Sequence, residues 1–184
     1  MVGTMRTTPQ PLPALRPATR ADLPRILALL ADEDRVTDPA DVVVTAAYER
    51  AFAAIDADPR NELLVLTRAT GDPADEGENQ GEIQGQHQDQ DQDAILGCLQ
   101  ATYIPGLGKG GAERVLLEAV RIRADVRGGG LGRTLMELAI ERARVRGCAL
   151  VQLTSNKRRT DAHRFYAGLG FVRSHDGFKL TLDS

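Results

Sequence analysis

Apolar positions along this chain recur with two different periods, and the change of period divides it into elements. Leu23, Ile26, Leu27 and Leu30 fall at i, i+3, i+4 and i+7, one face of a helix within "RADLPRILALLADEDR". The preceding "LPALRPAT" reads as a strand ending at Pro17. A second helix is predicted over residues 38–59, opened by Asp38 and Pro39 as cap and first-turn proline. "NELLVLTRA" and "AILGCLQATYI" read as the strands of a hairpin. "ERVLLEAVRIRA" reads as a strand with an alternating end, Val120 and Ile122 on one face and Arg121 and Arg123 on the other. A helix, "RTLMELAIERARVRG", is closed by Gly147. Then come a strand, "CALVQLTS", a short helix, "DAHRFYAGLG", and a closing strand pair, "FVRS" and "FKLTL". The order β-α-α-β-β-β-α-β-α-β-β, without internal repeats, describes a mixed α/β domain.

A length of 184 residues suits one domain with its own core. No apolar run approaches the roughly 18 residues of a membrane span. The opening "MVGTMRTTPQPLP" lacks the apolar segment of a secretory signal. Residues 1–12 are expected to be a flexible N-terminus and residues 13–184 the domain. Cys98 and Cys148 form no metal-ligand pattern, no metal site is expected, and both read as reduced, buried thiols of a cytoplasmic protein.

Charge changes the picture more than composition does. The net charge of −3 conceals a segregation. Residues 71–93 hold eight acidic residues, six glutamines and no Lys or Arg, whereas the remainder holds 23 basic against 18 acidic residues. That stretch cannot bury apolar area and is expected to be a disordered insertion in the hairpin, with His87 a solvated loop histidine. Residues 114–184 carry 14 Lys and Arg against 7 Asp and Glu, which suits an anionic ligand. They lack the dense basic stripe with interleaved aromatics of a nucleic-acid surface. No nucleic acid and no membrane is expected as a partner, and a homodimer is left open.

"RGGGLGRTLM" (residues 127–136) places glycines where a helix must begin. The first turn of a helix carries four N–H groups without intrahelical partners, and the helix dipole adds partial positive charge there. Such a terminus binds anions, phosphate above all, and glycines let the backbone approach the oxygens. Arg123, Arg127 and Arg133 add full charges. The phosphate loop of NTPases is excluded because the lysine after its second glycine is missing. The dinucleotide fingerprint fails at its third glycine, where Arg133 stands, and the loop comes too late in the chain. A third pattern, Q/R-x-x-G-x-G/A, is satisfied by Arg127, Gly130 and Gly132.

That pattern resembles the GNAT superfamily of N-acetyltransferases over roughly residues 13–184. "DAHRFYAGLGF" is similar to the family's A-x-x-x-Y-x-x-x-G-F ending, with Ala162, Tyr166, Gly170 and Phe171. "LTSNKRRTDAHRFY" with "SHDGFKL" resembles more narrowly the branch that includes aminoalkylphosphonate N-acetyltransferases. The resemblance implies a central mixed sheet of six to seven strands, about four helices, and a splayed strand pair that binds CoA. It implies acetyl-CoA as cosubstrate and a primary amine of a small molecule as acceptor, attacked directly in a ternary complex. Backbone N–H groups of Arg127, Gly128, Gly129, Gly130, Leu131, Gly132 and Arg133 would hold the pyrophosphate. The strand from Val120 through Ile122 to Arg123 would pair with the pantetheine amides.

By the same resemblance Tyr166 would protonate the departing thiolate, and a phenol with a reference pKa near 10 carries that proton at neutral pH. Packing beside Phe165 is the alternative reading of Tyr166. Glu118, on the parity of Val120 and Ile122, is the candidate base for the ammonium of the acceptor, with a structural carboxylate as its alternative. Glu113, His163 and His175 are weaker candidates. The family asparagine three residues before Ala162 is replaced by Arg159, and Asn156 lies three residues earlier still, so either is a candidate for the same work. Two other functions use the same fold: a non-catalytic acyl-CoA-binding regulatory module, and an acetyltransferase acting on a protein or aminoacyl-tRNA amine.

Overall fold

Five strands form one sheet in chain order, β1-β2-β3-β4-β5, in the computed structural model, which describes residues 12–34, 41–68 and 95–182. β1 (Pro13–Pro17), β2 (Asn61–Arg68), β3 (Ile95–Ile104) and β4 (Arg114–Ile122) are antiparallel neighbours. β5 (Leu150–Leu153) runs parallel to β4, joined through α3 (Leu131–Arg146). A parallel return needs such a crossover, and α3 supplies it. The remaining helices are α1 (Leu23–Asp34), α2 (Ala46–Ala57) and α4 (Thr160–Ala167).

The sheet divides the core in two. On one face α1 and α2 bring Ile26, Leu29 and Phe52 against Val65, Cys98 and Leu63. On the other, Leu135, Met136, Ala139 and Ala143 of α3 pack on Leu64, Leu66, Leu99, Ala101, Tyr103, Val115 and Leu117. The stripe read from sequence in α1 is the buried one: Leu23, Ile26 and Leu27 are buried and Leu30 is half-buried. Gly147 closes α3 with a φ of 89°, a conformation open to glycine at little cost.

Two expectations need correction. The second helix starts at Ala46 behind Thr45, because Val42, Val43 and Val44 form a β-branched run that resists helix nucleation. The proposed cap at Asp38 and Pro39 lies outside the described residues, as do residues 1–11 of the N-terminus and the acidic stretch 71–93 with His87. The sheet has five strands where six to seven were expected, since residues 171–182 form no strand.

The α3 face is locked by an ion-pair cluster. Arg142 donates from Nε and Nη2 to the two carboxylate oxygens of Glu62 at 2.6 Å each, and the Tyr103 hydroxyl donates to Glu62 at 2.8 Å. The Arg146 guanidinium lies 3.8 Å above the Tyr103 ring and donates to Glu113 at 2.8 Å. Arg142 thereby holds the Glu62 carboxyl below its usual range, and burial together with Glu62 pushes the Tyr103 phenol up to about 12. Glu113, read as a weak candidate base, is occupied in this cluster.

Candidate active site

β4 and β5 run together only from Arg114 and Leu150 to Leu117 and Leu153. Beyond that point the two strands part, and β4 continues to Ile122 paired with β3 alone. The parting coincides with a bulge. Gln100 is opposite Glu118 and Cys98 opposite Arg121, so two residue steps on β3 match three on β4. Ala119, inside the bulge, has a φ of +53°, the left-handed region where a non-glycine residue is strained.

The bulge rewrites the parity read from sequence. Val115 and Leu117 before it, and Val120 and Ile122 after it, all belong to the α3 side. Glu118 is opposite Gln100, which is itself opposite Leu63 of the α1 side. Glu118 therefore shares a face with Arg121 rather than with Val120 and Ile122, and its side chain is exposed. An added backbone residue, invisible to a period-two pattern, is the physical reason.

β3 accommodates the bulge by close approach. Gly97 lies opposite Ile122, and a Cβ built there would meet the Arg121 carbonyl oxygen at 2.5 Å and Ile122 Cδ1 at 2.7 Å. A lone glycine inside a strand pattern is the signal that could have found this contact. Under the bulge, the Cys98 thiol donates to the Ala119 carbonyl at 3.7 Å, and burial pushes it up to about 12.

From Ile122 the chain turns through residues 124–126 into Arg127, Gly128, Gly129 and Gly130, and α3 starts at Leu131. Gly128 and Gly130 both have a φ of +84°, and no atom lies within 4 Å of where a Cβ would stand on either. No side-chain cap bonds the first turn of α3, whose leading N–H groups have no intrahelical partner. Gly132 is the second residue of the helix, and a Cβ added there would stand 3.6 Å from the Phe165 ring.

The arginines expected around the loop are engaged in bracing it. Arg123 pairs with Asp125 at 2.7 and 3.0 Å, while its backbone N–H reaches the Leu96 carbonyl at 2.9 Å. Arg127 Nε donates to the Ile122 carbonyl at 2.9 Å. Arg133 reaches the Gly168 carbonyl and Glu137, each at 3.3 Å, tying the start of α3 to the end of α4.

α4 delivers Tyr166. Its ring centroid lies 5.2 Å from that of Phe165 and 5.9 Å from that of Phe171. All three rings, like Val120, Ile122, Leu131 and Leu153, pack against the edge of the α3-side core. Phe165 and Tyr166 are both half-buried. Asn156 shapes the approach to α4: its side-chain oxygen accepts the Arg158 N–H at 2.9 Å, and its carbonyl accepts the Arg159 N–H at 3.0 Å. His163 Nε2 lies 3.0 Å from the same carbonyl, and His175 pairs locally with Ser174 at 2.7 Å. Glu118 and Tyr166 thus belong to opposite faces of the sheet, on either side of the parting. Among the described residues no group of three or more His, Cys, Asp or Glu could hold a metal ion, and no helix is long and apolar enough to cross a membrane.

Comparison with known proteins agrees with this geometry. Residues 66–171 match the model of the Acetyltransferase (GNAT) family. No curated protein matches the chain by sequence. Among solved structures, a transcriptional regulator from Bacillus halodurans C-125 is 35% identical, with a TM-score of 0.74 over 93% of this chain and 100% of its own. An acetyltransferase from Trypanosoma brucei is 23% identical, with a TM-score of 0.66 over 92% of this chain and 99% of its own. Glucosamine-6-phosphate N-acetyltransferase from Arabidopsis thaliana is 15% identical, with a TM-score of 0.67 over 94% and 99% of the two chains. The last two show a shared fold.

Proposed function

The chain belongs to the GNAT family of acetyltransferases, and on that premise we propose that it moves an acetyl group from acetyl-CoA to the primary amine of a small molecule by direct attack in a ternary complex. The observation that carries this reading is the parting of β4 from β5 after Leu117 and Leu153, beside an uncapped helix start built on Gly128 and Gly130. The family's donor, acetyl-CoA, has an anionic end and an amide-bearing arm, and the residues present fit both. First-turn N–H groups of α3 suit a pyrophosphate. From Val120 to Ile122 β4 has no strand partner on the β5 side, and it would offer backbone groups to amides once the Arg121 and Arg127 guanidinium groups leave the Val120 and Ile122 carbonyls.

The acetyl donor supplies an activated thioester. This chain's residues would do the rest. Glu118, exposed on the α1 side, would take a proton from the acceptor ammonium, directly or through water, so that the free amine attacks the thioester carbonyl. Tyr166, on the other side of the parting, would give its proton to the departing thiolate as the carbon–sulfur bond breaks, and the proton shed by the new amide nitrogen would restore the phenol through water. Asn156 holds the loop before α4 through the Arg158 and Arg159 N–H groups, and Asn156 or Arg159 would add the remaining polar contact to the donor. The branch resemblance makes aminoalkylphosphonates the first amines to try.

A thermal-shift titration with acetyl-CoA tests the site, since a ligand that binds only the folded state raises Tm by mass action. Gly130→Glu puts a side chain and a negative charge into the loop and should abolish the shift; an undiminished shift would remove the loop from the site. An amine panel read by thiol release tests the reaction. A second reading, an acyl-CoA-binding regulatory module, is favoured by the description of the 35% identical Bacillus protein as a transcriptional regulator. Acetyl-CoA binding without turnover on any amine would select it.

A further inference from the structure

The end of β4 remote from the glycine loop holds a cavity that acetyl transfer does not use. A space of about 180 Å³ opens between the β3–β4 connection and the start of β5, with Gly106, Lys109, Arg114 and Leu150 on its walls. β4 runs from Arg114 to Ile122, so the cavity lies roughly 26 Å along the strand from the turn into the glycine loop. The connection is shaped to stay open. Lys109, Gly110 and Gly111 have φ of +52°, +72° and +82°, and the Gly111 N–H closes the turn on the Gly108 carbonyl at 3.1 Å. A Cβ on Gly108, Gly110 or Gly111 would meet no atom within 4 Å. Glycine takes this backbone freely, but Lys109 is strained in it, and strain of this kind clusters where ligands are clamped.

Positive charge at this cavity is left without a counterpart. Arg114 is half-buried, and its Nη1 lies beside Gly106, 3.6 Å from where a Cβ would stand. Among the described residues, neither Arg114 nor Lys109 has a side-chain hydrogen bond or an ion pair. Glu113, the carboxylate on the wall, is already engaged: it accepts from Arg146 Nε at 2.8 Å and from Cys148 Sγ at 3.7 Å. A charge drawn partly out of water calls for a partner. The planar guanidinium fork matches a carboxylate or a phosphate, which it can hold by two parallel bonds. Beside the two cations, Ala112, Ala149 and Leu150 supply an apolar wall.

We propose that this cavity binds a small organic anion, with its carboxylate or phosphate head on Arg114 and Lys109 and a short apolar body against Ala112, Ala149 and Leu150. The inference does not rest on the acetyl-transfer reading. Two-dimensional NMR of the full chain, titrated with butyrate, butyl phosphate and inorganic phosphate, tests it. The amides of Gly108, Lys109, Gly111 and Leu150 should shift and saturate with butyrate or butyl phosphate, and the tighter of the two identifies the head group. Inorganic phosphate, which lacks the body, should bind more weakly. Arg114→Gln should keep its circular dichroism spectrum and bind roughly 10–100-fold more weakly, the scale of lost charge-assisted bonds. Lys109→Gln should weaken binding by a smaller factor, and it carries the test if Arg114→Gln fails to fold. Gly130→Glu should leave these shifts in place. Their loss in Gly130→Glu would assign the anion to the glycine loop and overturn the proposal. Shifts that never saturate, that persist undiminished in both Gln variants, or that butylamine reproduces would overturn it as well.

Discussion

Gly97→Ala is the smallest change that should reach the strand proposed to bind the cofactor from outside it. The added Cβ would stand 2.5 Å from the Arg121 carbonyl oxygen, about 1 Å inside ordinary contact distance, and 2.7 Å from Ile122 Cδ1. The Ile122 methyl can rotate away, but a backbone oxygen cannot. β3 and β4 must therefore separate where β4 has already lost β5. Overpacking of this kind costs about 1–3 kcal/mol. Alanine returns about 0.4–1 kcal/mol by restricting the unfolded chain, since Gly97 is not among the glycines held at positive φ. The net loss of about 0.5–2 kcal/mol should lower Tm by roughly 2–6 °C in a chain of this size. The same displacement moves the backbone of Arg121 and Ile122, so the Tm rise on adding acetyl-CoA should shrink as well. Thermal unfolding by circular dichroism, with and without acetyl-CoA, reads both effects. Gly106→Ala is the control, since its Cβ would meet only Arg114 Nη1 at 3.6 Å. A Gly97→Ala protein as stable as its parent, with an undiminished acetyl-CoA shift, would refute the close-approach reasoning.

The other predictions concern chemistry and pH. Tyr166→Phe should lower turnover by roughly 10²–10⁴-fold, the scale of one proton-transfer group, with little change in acetyl-CoA binding; a variant as fast as the parent would confine Tyr166 to packing. Glu118→Gln should lower activity at neutral pH and recover part of it at high pH, where the amine is already free; a loss that is uniform across pH would mark a structural carboxylate. Asp22 is 5% exposed, and its burial alone would raise its pKa, but bonds from Arg16 at 2.7 and 3.0 Å and from the Thr19 N–H at 2.7 Å hold it at about 2. A carboxyl depressed in the folded state contributes stability above its unfolded pKa near 4 and loses it as pH falls through about 2. Denaturant titrations should therefore show about 2 kcal/mol of acid-sensitive stability in that window, and Asp22→Asn should flatten it.

The elements set by local chemistry were legible in the sequence. The stripe in α1, the β2–β3 pair, the glycine start of α3 and Gly147 at its end all depend on residues close in the chain, and each was found. Tyr166 was placed on a helix from its spacing to Gly170 and Phe171, and the helix is there. What failed depended on partners or on inserted backbone. The face of Glu118 was inverted because the bulge at Ala119 adds one residue on β4, and alanine carries no signal for positive φ. The closing strands were read from alternation alone, yet alternation states what a segment can pair with and not that a partner is in place. A helix start at Asp38 and Pro39 is what a proline pattern alone predicts, whereas the three successive valines delay the helix to Ala46.

The length of β4 left by β5 also has a cost in the crowded cell. A run of unpaired backbone in the middle of a folded protein is a template on which any extended peptide can add a strand. The Val120 and Ile122 carbonyls each accept an arginine N–H at 2.9 Å, from Arg121 and Arg127. Those guanidinium groups occupy hydrogen-bonding positions that a stray strand would otherwise use. The seam is thus partly filled by long, charged side chains.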